Sequence, residues 1–308
     1  MADRPKLAIA TFHGIGSYFD RYEDAALRYD RQLQDGLRKR LGGDFDSIAW
    51  KAVLWSAQKL ERRQQELIRR RRPPRLWKML FEFVSANLCD ATAYRLPDRK
   101  EDYEESSYFA VQKMVREALR ELESEIGKGA DETPLLCIAE SMGCRVLSGY
   151  AWDAARDRER IVGKGGDAAS LTSFQQLHTL AGLIYTGCNL PLLTMDVEQN
   201  ALMPMRLPRH PLPHDRAFTA NWLNFYDDDD VLGYPIADQY AAYFGGKHPH
   251  RERFEGWGRA PDAEQAPRDR QVRVRHILGW TPFAHVHYWK SGVVLDAIAG
   301  EVRRLLNA

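Results

Sequence analysis

At 308 residues the chain is long enough to bury a substantial core, and 44% hydrophobic with 28% charged residues is ordinary for a soluble globular protein. A formal net charge of +1 excludes attraction of the whole molecule to nucleic acid or acidic lipid, so any such attraction must come from a local patch. No segment approaches the roughly eighteen uninterrupted apolar residues of a membrane span, and "MADRPKLAIATFHGIG" at the start lacks a cleavable leader pattern, so a cytoplasmic location is expected.

Taken in chain order, residues 6–12 read as a strand, rich in apolar and β-branched side chains. They run into His13-Gly14-Ile15-Gly16-Ser17. Neither G-x-G-x-x-G nor G-x-x-x-x-G-K-[ST] is present, which disfavours a nucleotide-binding loop. The other reading is an oxyanion loop: Gly14 and Gly16 let the backbone approach a substrate, the N–H of Ile15 donates to a developing oxyanion, and His13 helps to hold the loop. A helical stripe follows at Tyr22, Ala26, Tyr29, Leu33, Leu37 and Leu41, then a strand at 48–54.

Residues 56–107 are compositionally odd, with "ERRQQELIRRRRPPRLWKMLFEFV" at their heart. Between residues 61 and 78 eight Arg or Lys stand against two Glu, and an apolar aromatic run follows directly. This is expected to be a helical, cap-like insertion over the sheet, its arginine stems lying along apolar surface. The alternative is an interfacial lid touching anionic membrane through 61–88. A second stripe, Val111, Val115, Ala118, Leu122 and Ile126, predicts a helix before the next strand, 135–139.

That strand turns into a helix through Ala139-Glu140-Ser141-Met142-Gly143. A serine on so tight a strand-to-helix turn has its hydroxyl pushed out above the sheet, and the residues two before and two after must be small. Ala139 and Gly143 meet that steric requirement, although the G-x-S-x-G pattern itself fails at its first position. Ser141 is then the candidate nucleophile, with the N–H of Met142 as a further oxyanion donor. Glu140 beside it is expected to form a salt bridge, a tuning of pH dependence being the other reading.

Strands at 183–186 and 222–226 follow, and the second runs into Asp227-Asp228-Asp229-Asp230. The Gly and Glu spacing of a calcium loop is absent. Asp230, directly before the turn into "VLGYP", is the candidate acid, with Asp229 and Asp227 as fallbacks; a structural role suits Asp227 better. Residues 237–270 read as surface loop, 272–278 as a sixth strand, and 291–307 as a closing helix with Val294, Ile298, Val302 and Leu305 on its inner face. Between them, "AHVHYWKSG" offers His285 and His287 as candidate bases. The four cysteines show no C-x-x-C spacing and read as reduced thiols; no metal site is indicated.

Alternating strands and helices predict a single α/β domain over 1–308: a mostly parallel sheet of about six strands with helices on both faces. The order Ser141, Asp230, His285, each after a later strand, is that of an α/β hydrolase. More closely, the sequence is similar to a group of poorly characterised bacterial serine hydrolases. The resemblance rests on "HGIG" at His13–Gly16, an elbow at Glu140–Gly143, "TGCNLPL" from Thr186, "WLNFYDDDD" from Trp222, and "HVHYW" from His285. It covers most of the chain apart from 56–107 and favours His285 over His287. It implies the hydrolase fold without its first two strands, and cleavage of a small-molecule or lipid ester through an acyl-enzyme. It also implies substrate-side roles for His13, Gly14, Gly16, Glu140 and Asn189, and no cofactor. Glu140, where histidine is common, is the chief departure. A reading of another class is a catalytically inactive hydrolase-fold module that binds a partner or anionic lipid through its basic stretch. Nucleic-acid binding is not expected.

Overall fold

The structure, a computed structural model, describes residues 4–14, 22–55, 66, 94–97, 102–195, 205, 220–245, 265–274 and 284–307. The strands are β1 (Leu7–Phe12), β2 (Ile48–Val53), β3 (Leu135–Glu140), β4 (Leu180–Thr186), β5 (Asn221–Tyr226) and β6 (Arg268–Gln271). They form one six-stranded sheet in the order β2-β1-β3-β4-β5-β6, and every neighbouring pair is parallel. Helices α1 (Tyr22–Leu41), α2 (Ser107–Ile126), α3 (Met142–Arg156), α4 (Glu159–Val162), α5 (Leu190–Leu193), α6 (Ala237–Phe244) and α7 (Gly292–Leu306) connect and cover it. None of the described helices is long and apolar enough to cross a membrane.

The central strands are largely apolar because both faces of the sheet are covered there; β1, β3 and β4 are buried at every position. Alternation sorts their side chains into two layers. Ala8, Ala10 and Phe12 of β1 and Leu135, Cys137 and Ala139 of β3 join the layer that holds Val111, Val115, Ala118, Leu122 and Ile126 of α2 and Val146 and Leu147 of α3. Leu7, Ile9, Leu136 and Ile138 face the other way, into a layer with Leu33, Leu37 and Leu41 of α1 and Val294, Ile298, Val302 and Leu305 of α7. The described side chains of all three helical stripes expected from the sequence are thus turned inward. Buried Asp30 ties α1 to the sheet: its carboxylate accepts from the Thr11 hydroxyl at 2.5 Å, the Trp50 indole at 2.9 Å and the Gln34 amide at 2.7 Å.

Two expectations need correction. The sixth strand was expected at 272–278, but β6 is Arg268–Gln271, and Val272 and Val274 lie just beyond it. An edge strand pairs on one side only and needs no apolar run, so the charged "RDRQ" pairs with β5 while the apolar residues that follow fill a gap. The expected loop over 237–270 likewise contains α6 and most of β6. Tyr240 packs on Trp222 with ring centroids 5.5 Å apart, and the Asp269 carboxylate accepts the N–H of Ile236 and of Ala237, capping α6 from the strand. The basic run 61–88 and the cap expected at 56–107 lie largely outside the described residues, as do 275–280.

Candidate active site

In a parallel sheet, ligands gather at the carboxyl ends of the strands where the strand order reverses. Here that point lies between β1 and β3, which carry Gly14 and Ser141 just beyond their last residues.

Ser141 is the only residue between β3 and α3, and its backbone sits at φ 53°, ψ −121°. A non-glycine residue held there stores on the order of 1–3 kcal/mol of strain. Hydrogen bonds on both sides impose the turn: the Ser141 N–H donates to the Thr186 carbonyl at 3.0 Å, and the Cys144 N–H donates to the Ser141 carbonyl at 3.0 Å. The chain then passes so close to β1 that a Cβ on Gly143 would lie 2.2 Å from the Phe12 carbonyl oxygen and 2.8 Å from that of His13. Glycine at 143 is a geometric requirement of the elbow.

Three sequence-distant side chains meet above this turn. His285 Nε2 is 2.6 Å from Ser141 Oγ, and His285 Nδ1 is 2.8 Å and 3.0 Å from the two carboxylate oxygens of Asp230. Since a carboxylate only accepts, Nδ1 carries the proton and Nε2 is left to accept from the serine hydroxyl. All three side chains are buried. Burial alone would raise the Asp230 carboxyl. The His285 charge, with hydrogen bonds from His285, the Leu232 N–H and the Tyr288 hydroxyl, holds it below the ordinary range instead. Burial pulls His285 down, and the charge and hydrogen bond of Asp230, with the Glu140 charge, more than reverse this and raise it.

The aspartate run divides by role. Asp228 and Asp229 are exposed, while Asp227 and Asp230 are buried. The Asp227 carboxylate shapes the turn, accepting the N–H of Asp229 at 3.0 Å and of Val274 at 2.5 Å. Of the two candidate histidines, His285 is the one that stands between Asp230 and Ser141.

Other residues singled out in the sequence are placed as follows. His13 is buried, stacked on Trp55 with ring centroids 5.5 Å apart, and its Nδ1–H donates to the Gly14 carbonyl at 2.5 Å. Burial lowers its pKa to about 4, against a backbone hydrogen bond that raises it, so the ring is neutral and clamps the start of the loop. A Cβ on Gly14 would lie 3.0 Å from that of Ser141, so this glycine abuts the elbow. Ile15 and Gly16 lie outside the described residues. The Met142 N–H is in the first turn of α3, where amides have no intrahelical acceptor. Asn189 precedes α5 and is buried, with no hydrogen-bond partner for Oδ1. Glu140 forms no ion pair with any described residue, so the salt bridge expected of it is not found among them.

Tyr288, Gly187 and Trp289, for which the sequence alone suggests no site role, also border this cluster. The Tyr288 hydroxyl donates to Asp230 Oδ2 at 2.8 Å and accepts the Asp227 N–H at 2.9 Å. Gly187, at φ +54°, passes beside these side chains: a Cβ there would be 2.8 Å from Tyr288 Cε2 and 3.2 Å from both Asp230 Oδ2 and His285 Cε1. The Trp289 indole donates to Thr186 Oγ1 at 3.2 Å, behind the elbow. The only signal for them was their place in the "TGCNLPL" and "HVHYW" patterns.

Among the described residues no group of three His, Cys, Asp or Glu side chains is arranged to hold a metal ion. No known family model, curated protein or solved structure matches the chain.

Proposed function

We propose that this protein is a serine hydrolase that cleaves carboxylic esters through an acyl-enzyme. The observation that carries the reading is the unbroken hydrogen-bonded line from Ser141 through His285 to Asp230, rooted in a strained elbow at the sheet's switch point. In this reading His285 Nε2 takes the Ser141 proton as Oγ attacks the ester carbonyl. Asp230 keeps the imidazole in the accepting tautomer and stabilises the imidazolium. The Met142 N–H holds the tetrahedral oxyanion, with the N–H of Ile15 the second donor expected from the sequence; one such donor is worth roughly 2.7–4 kcal/mol in the transition state. His285 returns the proton to the departing alcohol, then activates water to release the acid.

Intact-protein mass after reaction with a fluorophosphonate tests this. A single phosphonyl adduct is expected on wild type, with loss of fluoride, and none on Ser141→Ala. No adduct on folded wild-type protein would sink the esterase reading and favour an inactive hydrolase-fold module that binds through its basic stretch.

A further inference from the structure

The strand β3 is apolar up to its last residue, Glu140. Alternation puts that side chain on the face of Leu136 and Ile138, toward the layer covered by α1 and α7. The residue is 4% exposed, and its Oε1 has no hydrogen-bond partner. Burying a carboxylate with one oxygen left unsatisfied costs stability, and an aliphatic side chain would fill the same space without that cost. Among the described residues, the charged and titratable groups around it come from several elements. Tyr29 is on α1, Cys144 on α3, Lys290 follows Trp289, and His285 and Asp230 belong to the triad. Its Cγ lies 3.7 Å from the Cβ position of Gly14, so the carboxyl also borders the start of the oxyanion loop.

On the serine-hydrolase reading, we infer that Glu140 is a positioning residue acting through His285: a second carboxylate whose negative charge favours the imidazolium formed when Ser141 gives up its proton. The serine proton moves to His285 Nε2 as before, and Glu140 neither gives nor takes it. Its contribution is the field, strongest where water is excluded. Burial, with the Asp230 charge, raises the Glu140 carboxyl to about 7 against the lowering pull of His285 and Lys290, so its charge changes in the neutral range. Glu140 and His285 then titrate as a coupled pair, and reactivity rises with pH in two overlapping steps.

The test is the rate of fluorophosphonate labelling at Ser141 against pH for wild type, Glu140→Gln and Glu140→Asp, each checked for folding by thermal melting. Wild type is expected to rise over a broad range. The Gln variant should rise as one simple ionisation, its midpoint about one pH unit more acid and its plateau about tenfold lower, both following from one lost charge interaction. The Asp variant should keep the broad limb. A Gln variant that matches wild type in midpoint and plateau overturns the inference, as does a folded Asp variant that behaves like Gln. Absence of labelling on wild type itself instead removes the hydrolase reading beneath it.

Discussion

The Tyr288 hydroxyl and the His285 imidazole converge on a single atom, Asp230 Oδ2, each at 2.8 Å. The same hydroxyl accepts the Asp227 N–H, so Tyr288 connects the turn that carries Asp230 to the segment that carries His285. Replacing Tyr288 by Phe removes a hydrogen bond to a charged group and leaves a buried N–H without its acceptor, a loss of about 1.5–3 kcal/mol of stability. Fluorophosphonate labelling should slow, but far less than for Asp230→Asn, where the wrong histidine tautomer costs on the order of 10⁴-fold. Paired urea titrations and labelling rates check both. Equal labelling defects in the two variants would mean that Tyr288 does more than hold the carboxylate.

The elbow gives a second contrast. Gly143→Ala sets a methyl group 2.2 Å from the Phe12 carbonyl oxygen, in backbone committed to the sheet, so the strand-to-helix turn must open. A loss on the order of 3 kcal/mol and no labelling of Ser141 are expected. Gly300→Ala, within α7 and with nothing inside 4 Å, should instead stabilise by roughly 0.5–1 kcal/mol and label as wild type. Thermal melting of both variants decides.

These contrasts bear on what could be read from the amino-acid order. The buried strands and helical stripes were legible because a two-sided parallel sheet needs continuous apolar runs and its helices need one apolar face. The charged "RDRQ" of β6 was not, since an edge strand is held by backbone pairing that leaves no hydrophobic pattern. At the site, Ser141, Asp230 and His285 could be named from their order and from the turns around them. Residues that act by contact were harder. Gly187 meets Asp230 only once strands β4 and β5 are neighbours, and Tyr288 only once the segment before α7 folds onto that end of the sheet; nothing local to "YTGC" or "HYWK" records either. The Glu140 salt bridge was inferred from charge alone. Which face of β3 the side chain takes, and that no cation among the described residues pairs with it there, are facts of the fold.

Glu140 also predicts a stability effect that runs opposite to ordinary acid denaturation. Its carboxyl is raised from 4.5 to about 7 on folding, chiefly by burial. The folded protein therefore binds the proton more tightly than the unfolded chain. The contribution is fully present below pH 4.5 and is lost as pH rises through 7. Glu140→Gln removes this dependence. The variant should match wild type near pH 4 and exceed it at pH 8 by on the order of 2–3 kcal/mol in urea denaturation. A Gln variant no more stable than wild type at pH 8 would mean that the carboxylate is better solvated than its burial indicates.

His13 acts in the opposite sense over almost the same range. Its imidazole is lowered on folding from 6.5 to about 4, chiefly by burial, so here the unfolded chain holds the proton more tightly. Stability from this group is present above pH 6.5 and is lost as pH falls toward 4. Between pH 4.5 and 6.5 the two groups offset one another, and wild-type stability should be flatter with pH than either buried group alone would make it. His13→Asn keeps an N–H able to reach the Gly14 carbonyl but removes the titration, so only the Glu140 effect remains and the variant should lose stability as pH rises across this window. Glu140→Gln leaves the His13 effect and should gain stability over the same window. Urea titrations of the two variants at half-unit pH steps, each taken as a difference from wild type, should therefore give slopes of opposite sign. Slopes of the same sign would show that one of the two side chains is charged in the folded protein where its burial requires it to be neutral.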